Sequence, residues 1–127
     1  MSEKTKILIA DDHPTNQFAL TTFLKRKYDA ELLTCQNGKE ALDLIQKHQV
    51  KLILLDMMMP VMSGYDFLHQ LRSSEEKTIK DIPVIAITAN AMEGDKDKCL
   101  ESGATDYLSK PFEFDEAYDM IDKYIMT

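Results

Sequence analysis

Lys51 to Asp56 reads Lys-Leu-Ile-Leu-Leu-Asp, an unbroken apolar run that closes on a carboxylate. A run of that length without alternation fits a strand buried on both faces, which is the habit of parallel sheets. The Met-Met-Met-Pro-Val-Met-Ser-Gly that follows cannot prolong the strand. In open α/β sheets, ligands sit just beyond the carboxyl ends of the strands. Asp56 is therefore the first candidate for a working residue.

Four further apolar runs flank this one, and helical patterns separate them all. Strands are expected at Ile7–Ala10, Glu31–Thr34, Lys51–Asp56, Pro83–Thr88 and Thr105–Ser109. Pro14 suits the first turn of the first helix, where Leu20, Phe23 and Leu24 share a face. Asn37 with Glu40 makes a box-like start to the second, whose stripe is Ala41, Leu44, Ile45 and His48. Gly64, Phe67, Leu68 and Leu71 mark the third, and Ser73–Asp81 reads as a polar connector. The fourth helix, Met92–Ser102, stops at Gly103 in a C-cap position. The last carries Phe114, Ala117, Tyr118, Ile121, Tyr124 and Ile125 on one face. Such alternation predicts an α/β domain with a parallel sheet, right-handed crossovers and helices on both faces. The fourth helix shows little more than Met92, Cys99 and Leu100 to the core. At about 25 cal/mol per Å² it is held by a few kcal/mol less than the last. It is either a moving part or simply an exposed helix.

The 127 residues suit one domain, and 44% hydrophobic with 29% charged residues excludes a disordered chain. A net charge of −7 with scattered Lys and Arg speaks against nucleic acid, since Lys25-Arg26-Lys27 is too short for a patch. The apolar runs are too short to enter a membrane as spans, and the N-terminal residues lack the apolar segment of a signal peptide. Cys35 and Cys99 have no metal spacing, so free thiols in a reducing cytoplasm are expected.

Four of the five strands end on a residue able to act: Asp11 and Asp12, Asp56, Thr88, and Lys110. In a parallel sheet these ends lie along one edge. Two carboxylates ~4–5 Å apart repel by roughly 3–4 kcal/mol at an effective dielectric of 20, so one keeps a proton or a cation sits between them. Hard oxygen donors with open positions suit Mg2+, which accepts a phosphate oxygen as a further ligand. Lys110 and the Thr88 hydroxyl would bind the same phosphoryl group, and Asp56 would receive it. His13, His48 and His69 have no second histidine at metal spacing and are given no catalytic role. The Met57–Met59 run and Met62 read as gap-fillers around the site.

Four segments then carry a family resemblance: Ile-Leu-Ile-Ala-Asp-Asp, Leu-Leu-Asp-Met-Met-Met-Pro-Val-Met-Ser-Gly, Ile-Ala-Ile-Thr-Ala-Asn-Ala and Asp-Tyr-Leu-Ser-Lys-Pro-Phe. In that order and spacing they resemble the receiver domain of two-component response regulators along almost the whole chain. The resemblance implies a single doubly wound (βα)5 flavodoxin-like domain over residues 1–127, with a five-stranded parallel sheet of order 2-1-3-4-5. It implies that Asp56 accepts phosphate from a phosphohistidine, and that Asp11, Asp12, Asp56 and the Met58 backbone carbonyl hold Mg2+. Thr88 and Lys110 would contact the acyl phosphate, while Tyr107 turns inward as Thr88 moves. Partners would read the state on the face of the fourth helix, fifth strand and fifth helix. They would be a histidine kinase or histidine phosphotransfer domain, with a downstream effector or output domains of the same chain. The Lys110–Pro111 bond is often cis in this family. Met58 and Asn90 occupy positions that influence phosphate lifetime, and apolar Met58 implies slow self-dephosphorylation. Thr-Ala-Asn-Ala-Met-x-Gly-Asp, with Cys99-Leu100 and Gly103-Ala104, is more similar to receivers of hybrid sensor kinases than to those of transcription factors.

The expected function is a cytoplasmic signalling switch that catalyses only its own phosphorylation and dephosphorylation. Two alternatives stand beside it. A haloacid-dehalogenase-like phosphohydrolase with an aspartate nucleophile would place a second Asp where Met58 stands. A binding module independent of phosphorylation would not require all five site residues.

Overall fold

A computed structural model describes residues 4–89 and 94–125. The elements run β1 (Thr5–Ala10), α1 (Pro14–Lys25), β2 (Ala30–Cys35), α2 (Gly38–Lys47), β3 (Leu52–Asp56), α3 (Gly64–Arg72), α4 (Lys77–Lys80), β4 (Val84–Thr88), α5 (Asp95–Glu101), β5 (Asp106–Ser109) and α6 (Phe114–Ile125). All neighbouring strands are parallel, in the order β2-β1-β3-β4-β5. The fold is the expected doubly wound, flavodoxin-like one.

The period-2 geometry of the strands sorts the core into two layers. Leu8, Ala10, Ile53, Leu55, Val84 and Ala86 face α2, α3 and the buried Cys99 of α5. Ile7, Ile9, Leu52, Leu54, Ile85, Ile87 and Leu108 face α1 and α6. There Phe23 stacks on Tyr118 with ring centroids 4.1 Å apart and an interplanar angle of 5°.

Local signals act where expected. Pro14 opens α1, and Asn37 Oδ1 accepts the Glu40 N–H at 2.9 Å. The Glu40 carboxylate takes the Gln36 N–H, not that of Asn37, so the box closes one residue early. Gly103, at φ +119°, follows the end of α5, where its N–H reaches Leu100 O and the Ala104 N–H reaches Cys99 O.

Three details differ from the sequence reading. The Ser73–Asp81 connector contains the short helix α4, pinned by buried Ile79. His48 stands one residue beyond α2, in extended backbone, with its Nδ1 3.3 Å from Lys6 Nζ. Phe114 opens α6 but is 57% exposed, because it precedes the turn on which Ala117 and Ile121 begin the buried stripe. The fourth expected helix is α5; its described part starts at Asp95, and Asn90 and Met92 lie outside the described residues. Among the described residues of α5 only Cys99 is buried. Among the described residues, no helix is long and apolar enough to cross a membrane.

Candidate functional site

The register of the sheet assembles the site. Ala10 pairs with Leu55, so Asp11 and Asp56 continue side by side from β1 and β3. Asp56 is level with Ile87, and Thr88 with Ser109, which brings Thr88 and Lys110 to the same rim. The Lys110 N–H extends the ladder by donating to Thr88 O at 2.8 Å. Residues distant in sequence become neighbours because every parallel strand ends on the same edge.

The β1–α1 turn is held rigidly. The Asp11 N–H donates to Cys35 O at 3.0 Å, and Gln17 Nε2 donates to both Asp11 O (2.6 Å) and Cys35 O (2.9 Å). Asp11 is buried; its Oδ1 accepts the His13 backbone N–H at 2.9 Å, and its Oδ2 lies 3.8 Å from Lys110 Nζ. Asp56 Oδ1 accepts the Met58 N–H at 3.0 Å. Met57 and Met59 are buried, whereas Met58 is 67% exposed; the methionine run fills gaps with its first and third members. Gly64 is required here, because a Cβ on it would stand 2.7 Å from Met57 Cα.

Three carboxylates share this rim with one lysine, and the electrostatics follow. Burial raises the Asp56 pKa above its ordinary 3.8, and the Asp11 and Asp12 charges add to the rise; the Met58 N–H and Lys110 oppose it. Asp11, Asp12, His13 and Asp56 each offer one donor atom, all within 4.8 Å of one another. Asp12 Oδ1 is shielded from solvent and accepts no hydrogen bond, although His13 Nδ1, which is bonded to Asp11 Oδ1 at 3.3 Å, stands 3.0 Å from it. A buried acceptor left so is costly, and a divalent cation satisfies it directly, so the donor set fits a hard metal ion.

Thr88 and Tyr107 stand at the side of this rim that faces α2, α3 and α5. Thr88 continues the alternation of Val84 and Ala86 and is buried. Tyr107 sits on β5 opposite Ala86 and packs against the same layer. Its hydroxyl reaches Asp95 on α5. The Lys110–Pro111 peptide bond is cis.

His13 and Gln17 are the participants that sequence reading did not promote. His13 directly follows the acidic pair, which was a signal; Gln17 gave none, since its role depends on where β2 ends.

Fold and site together define a doubly wound parallel α/β domain with an acidic cation nest on the carboxyl rim of its sheet. The family model described as response regulator receiver domain matches residues 7–122, and the chain belongs to that family, whose members are signalling switches. It is 39% identical over 126 residues to hybrid signal transduction histidine kinase I of Dictyostelium discoideum, covering 94% of this chain and 7% of that protein. It is 36% identical over 116 residues to response regulator Rre1 of Synechocystis, covering 91% of this chain and 49% of that one. The chain thus spans half or less of these two relatives. Among solved structures, the receiver domain of a Pseudomonas aeruginosa sensor histidine kinase, with magnesium coordinated in its active site cleft, superposes at a TM-score of 0.87. Its identity is 30%, over 98% of this chain and 100% of that one. A Saccharomyces cerevisiae response regulator receiver domain, co-crystallised with its histidine phosphotransfer protein, gives a TM-score of 0.82 at 30% identity, over 98% of this chain and 90% of that one.

Proposed function

We propose that residues 1–127 act as one phosphorelay receiver in which Asp56 accepts a phosphoryl group from a phosphohistidine. The observation that carries this is the meeting of Asp11, Asp12 and Asp56 within ligand reach of one another, with Lys110 Nζ 3.8 Å from Asp11. Asp11, Asp12, Asp56 and the Met58 carbonyl would hold Mg2+, as magnesium is held in the cleft of the Pseudomonas receiver. When bound, Mg2+ offsets charge on the phosphoryl oxygens and orients them for in-line transfer.

The residues of the chain divide the remaining work. One Asp56 oxygen attacks phosphorus; an O–P bond forms, the N–P bond breaks, and the donor imidazole leaves with the electron pair. Burial that raises the Asp56 pKa also makes the ionised carboxylate a better nucleophile. Lys110 and the Thr88 hydroxyl receive the phosphoryl oxygens. The modification adds roughly −1.5 to −2 charges, drawing Thr88 toward the phosphate and leaving room for Tyr107 to turn inward. Because Tyr107 and Thr88 share a face with the thinly anchored α5, their movement shifts the population of α5 arrangements.

The partner is a histidine kinase or histidine phosphotransfer protein, as for the yeast receiver. The signal leaves on the face of α5, β5 and α6, toward an effector or output domains of the same chain. The two buried free thiols, Cys35 and Cys99, suit a reducing cytoplasm. The test is incubation with Mg2+ and acetyl phosphate or beryllofluoride. A stable adduct, seen by mass or NMR and lost in Asp56→Ala, supports the switch. Repeated turnover of a phosphate ester supports a hydrolase, and no response supports a module that only binds.

A further inference from the structure

We infer that Gln17 is a positioning residue of this nest: its side-chain amide sets the direction in which Asp12 points, and through Asp12 the affinity for Mg2+. The inference rests on the metal reading of the site proposed above. Gln17 lies in the first turn of α1, where its backbone N–H donates to His13 O at 3.0 Å. It is not one of the four residues that offer a donor atom to the nest, so it acts only through its neighbours.

One nitrogen bridges two strand ends. Gln17 Nε2 donates to Asp11 O at 2.6 Å and to Cys35 O at 2.9 Å, which uses both of its hydrogens. Asp11 O belongs to the planar peptide that leads into Asp12, and Cys35 closes β2. The peptide that follows Asp12 is held too, because the His13 N–H donates to Asp11 Oδ1 at 2.9 Å. With both flanking peptides held, φ and ψ of Asp12 are set, and so is the direction of its Cα–Cβ bond. Asp12 Oδ1 accepts no hydrogen bond, so the backbone aims that oxygen and no partner of its own does. Of the two anchors, Asp11 is itself a candidate ligand, and Gln17 is the one from outside the nest. A primary amide does this without adding charge beside three carboxylates, whereas a lysine or arginine would add a competing cation. Once the Gln17 donors are removed, Asp12 gains freedom that cation binding must take away again.

The test uses the whole chain and magnesium chloride. Isothermal titration measures Mg2+ affinity in the natural protein, Gln17→Met, Asp12→Asn and the double variant; methionine keeps the side-chain length and removes both donors. Gln17→Met is expected to lower Mg2+ affinity roughly tenfold. In the Asp12→Asn background the same change should cost less than about twofold, since the residue it acts through is already altered. A second measurement needs no variant. In the natural protein the Gln17 side-chain amide protons should exchange with water more slowly than those of the exposed Gln46 and Gln49, and their 15N resonance should shift when Mg2+ is added. Unchanged affinity in Gln17→Met overturns the inference. So does an equal loss in both backgrounds, which would make Gln17 a general support of the turn. Exchange as fast as that of Gln46 overturns it from the natural protein alone. Failure of the natural protein to bind Mg2+ at all overturns the metal reading itself, and this inference with it.

Discussion

The Tyr107 hydroxyl donates a 2.8 Å hydrogen bond to Asp95 Oδ2, tying the second residue of β5 to the first residue of α5. Burial, followed by this bond, pushes the Tyr107 pKa up to about 12. Among the described residues of α5 only Cys99 is buried, and this contact and the Lys98 ammonium, 4.6 Å from the Tyr65 ring centroid, add to its anchoring. In the switch proposed above, this bond breaks before the Tyr107 ring turns inward. Asp95→Ala and Tyr107→Phe are each expected to cost about 1 kcal/mol or less and to speed amide exchange along α5. The double variant should cost no more than either alone. Additive losses in urea unfolding would show that the two residues act separately.

Asp56 makes metal-free stability depend on pH. Its native pKa is raised, first by burial, so the native chain keeps a proton that the unfolded chain has already lost. Stability therefore falls as pH rises from 3.8 through the native value, and the full cost is present at neutral pH. Asp56→Asn is expected to raise the metal-free unfolding free energy at neutral pH, because an uncharged amide escapes the burial cost of the carboxylate and its repulsion by Asp11 and Asp12. Mg2+ reverses the order: near 100 times its Kd it adds about 2.7 kcal/mol to the natural protein, and far less to the variant. Unfolding curves with EDTA or Mg2+ check both statements, and equal gains in the two proteins would refute the second.

Arg72 locks the far end of α5. Its guanidinium donates to Gly103 O (2.8 Å), Lys80 O (2.7 Å), Ile82 O (2.7 Å) and Thr105 Oγ1 (3.2 Å). Three carbonyls lose a charged donor in Arg72→Ala, for an expected loss of about 3 kcal/mol or more. Arg72→Lys should restore less than half, because an ammonium cannot reproduce the planar fork. Full restoration by Lys would show that charge alone matters.

Val61 is held at φ +66°, with the Met62 N–H closing onto Pro60 O at 2.6 Å. A β-branched residue is strained in that region, and the side chain is 82% exposed, so little packing compensates. Val61→Gly is expected to gain about 1 kcal/mol despite glycine's larger unfolded-state entropy. A lower melting temperature would count against the strain.

Phosphorylated Asp56 is expected to persist for minutes or longer in Mg2+. The exposed Met58 side chain beside it has no polar atom to hold an attacking water by a strong hydrogen bond. Phosphate release from the adduct measures this directly, and a half-life of seconds refutes it.

Sheet and helices were legible because burial imprints a period on the chain. Leu52 to Leu55, apolar without interruption, fit a strand covered on both sides, and both sides are covered. Asp11, Asp12, Asp56, Thr88 and Lys110 were legible as strand-end residues because each follows or closes an apolar run. Less was visible where a single residue acts at long range: Ile79 alone turns a polar connector into α4, and nothing in its surroundings marks Arg72 as a clamp.

The sequence by itself determined which segments are strands, which faces they bury and which polar residues stand at their ends, since these depend on neighbours two to four positions away. Only the tertiary structure decided that Asp12 Oδ1 would be enclosed without a hydrogen bond, that His13 would stand between two carboxylates, and that α5 would hang between Tyr107 and Arg72. Those outcomes depend on strand order and loop path, which bring together residues as far apart as Asp11 and Lys110, and no local periodicity encodes such distances.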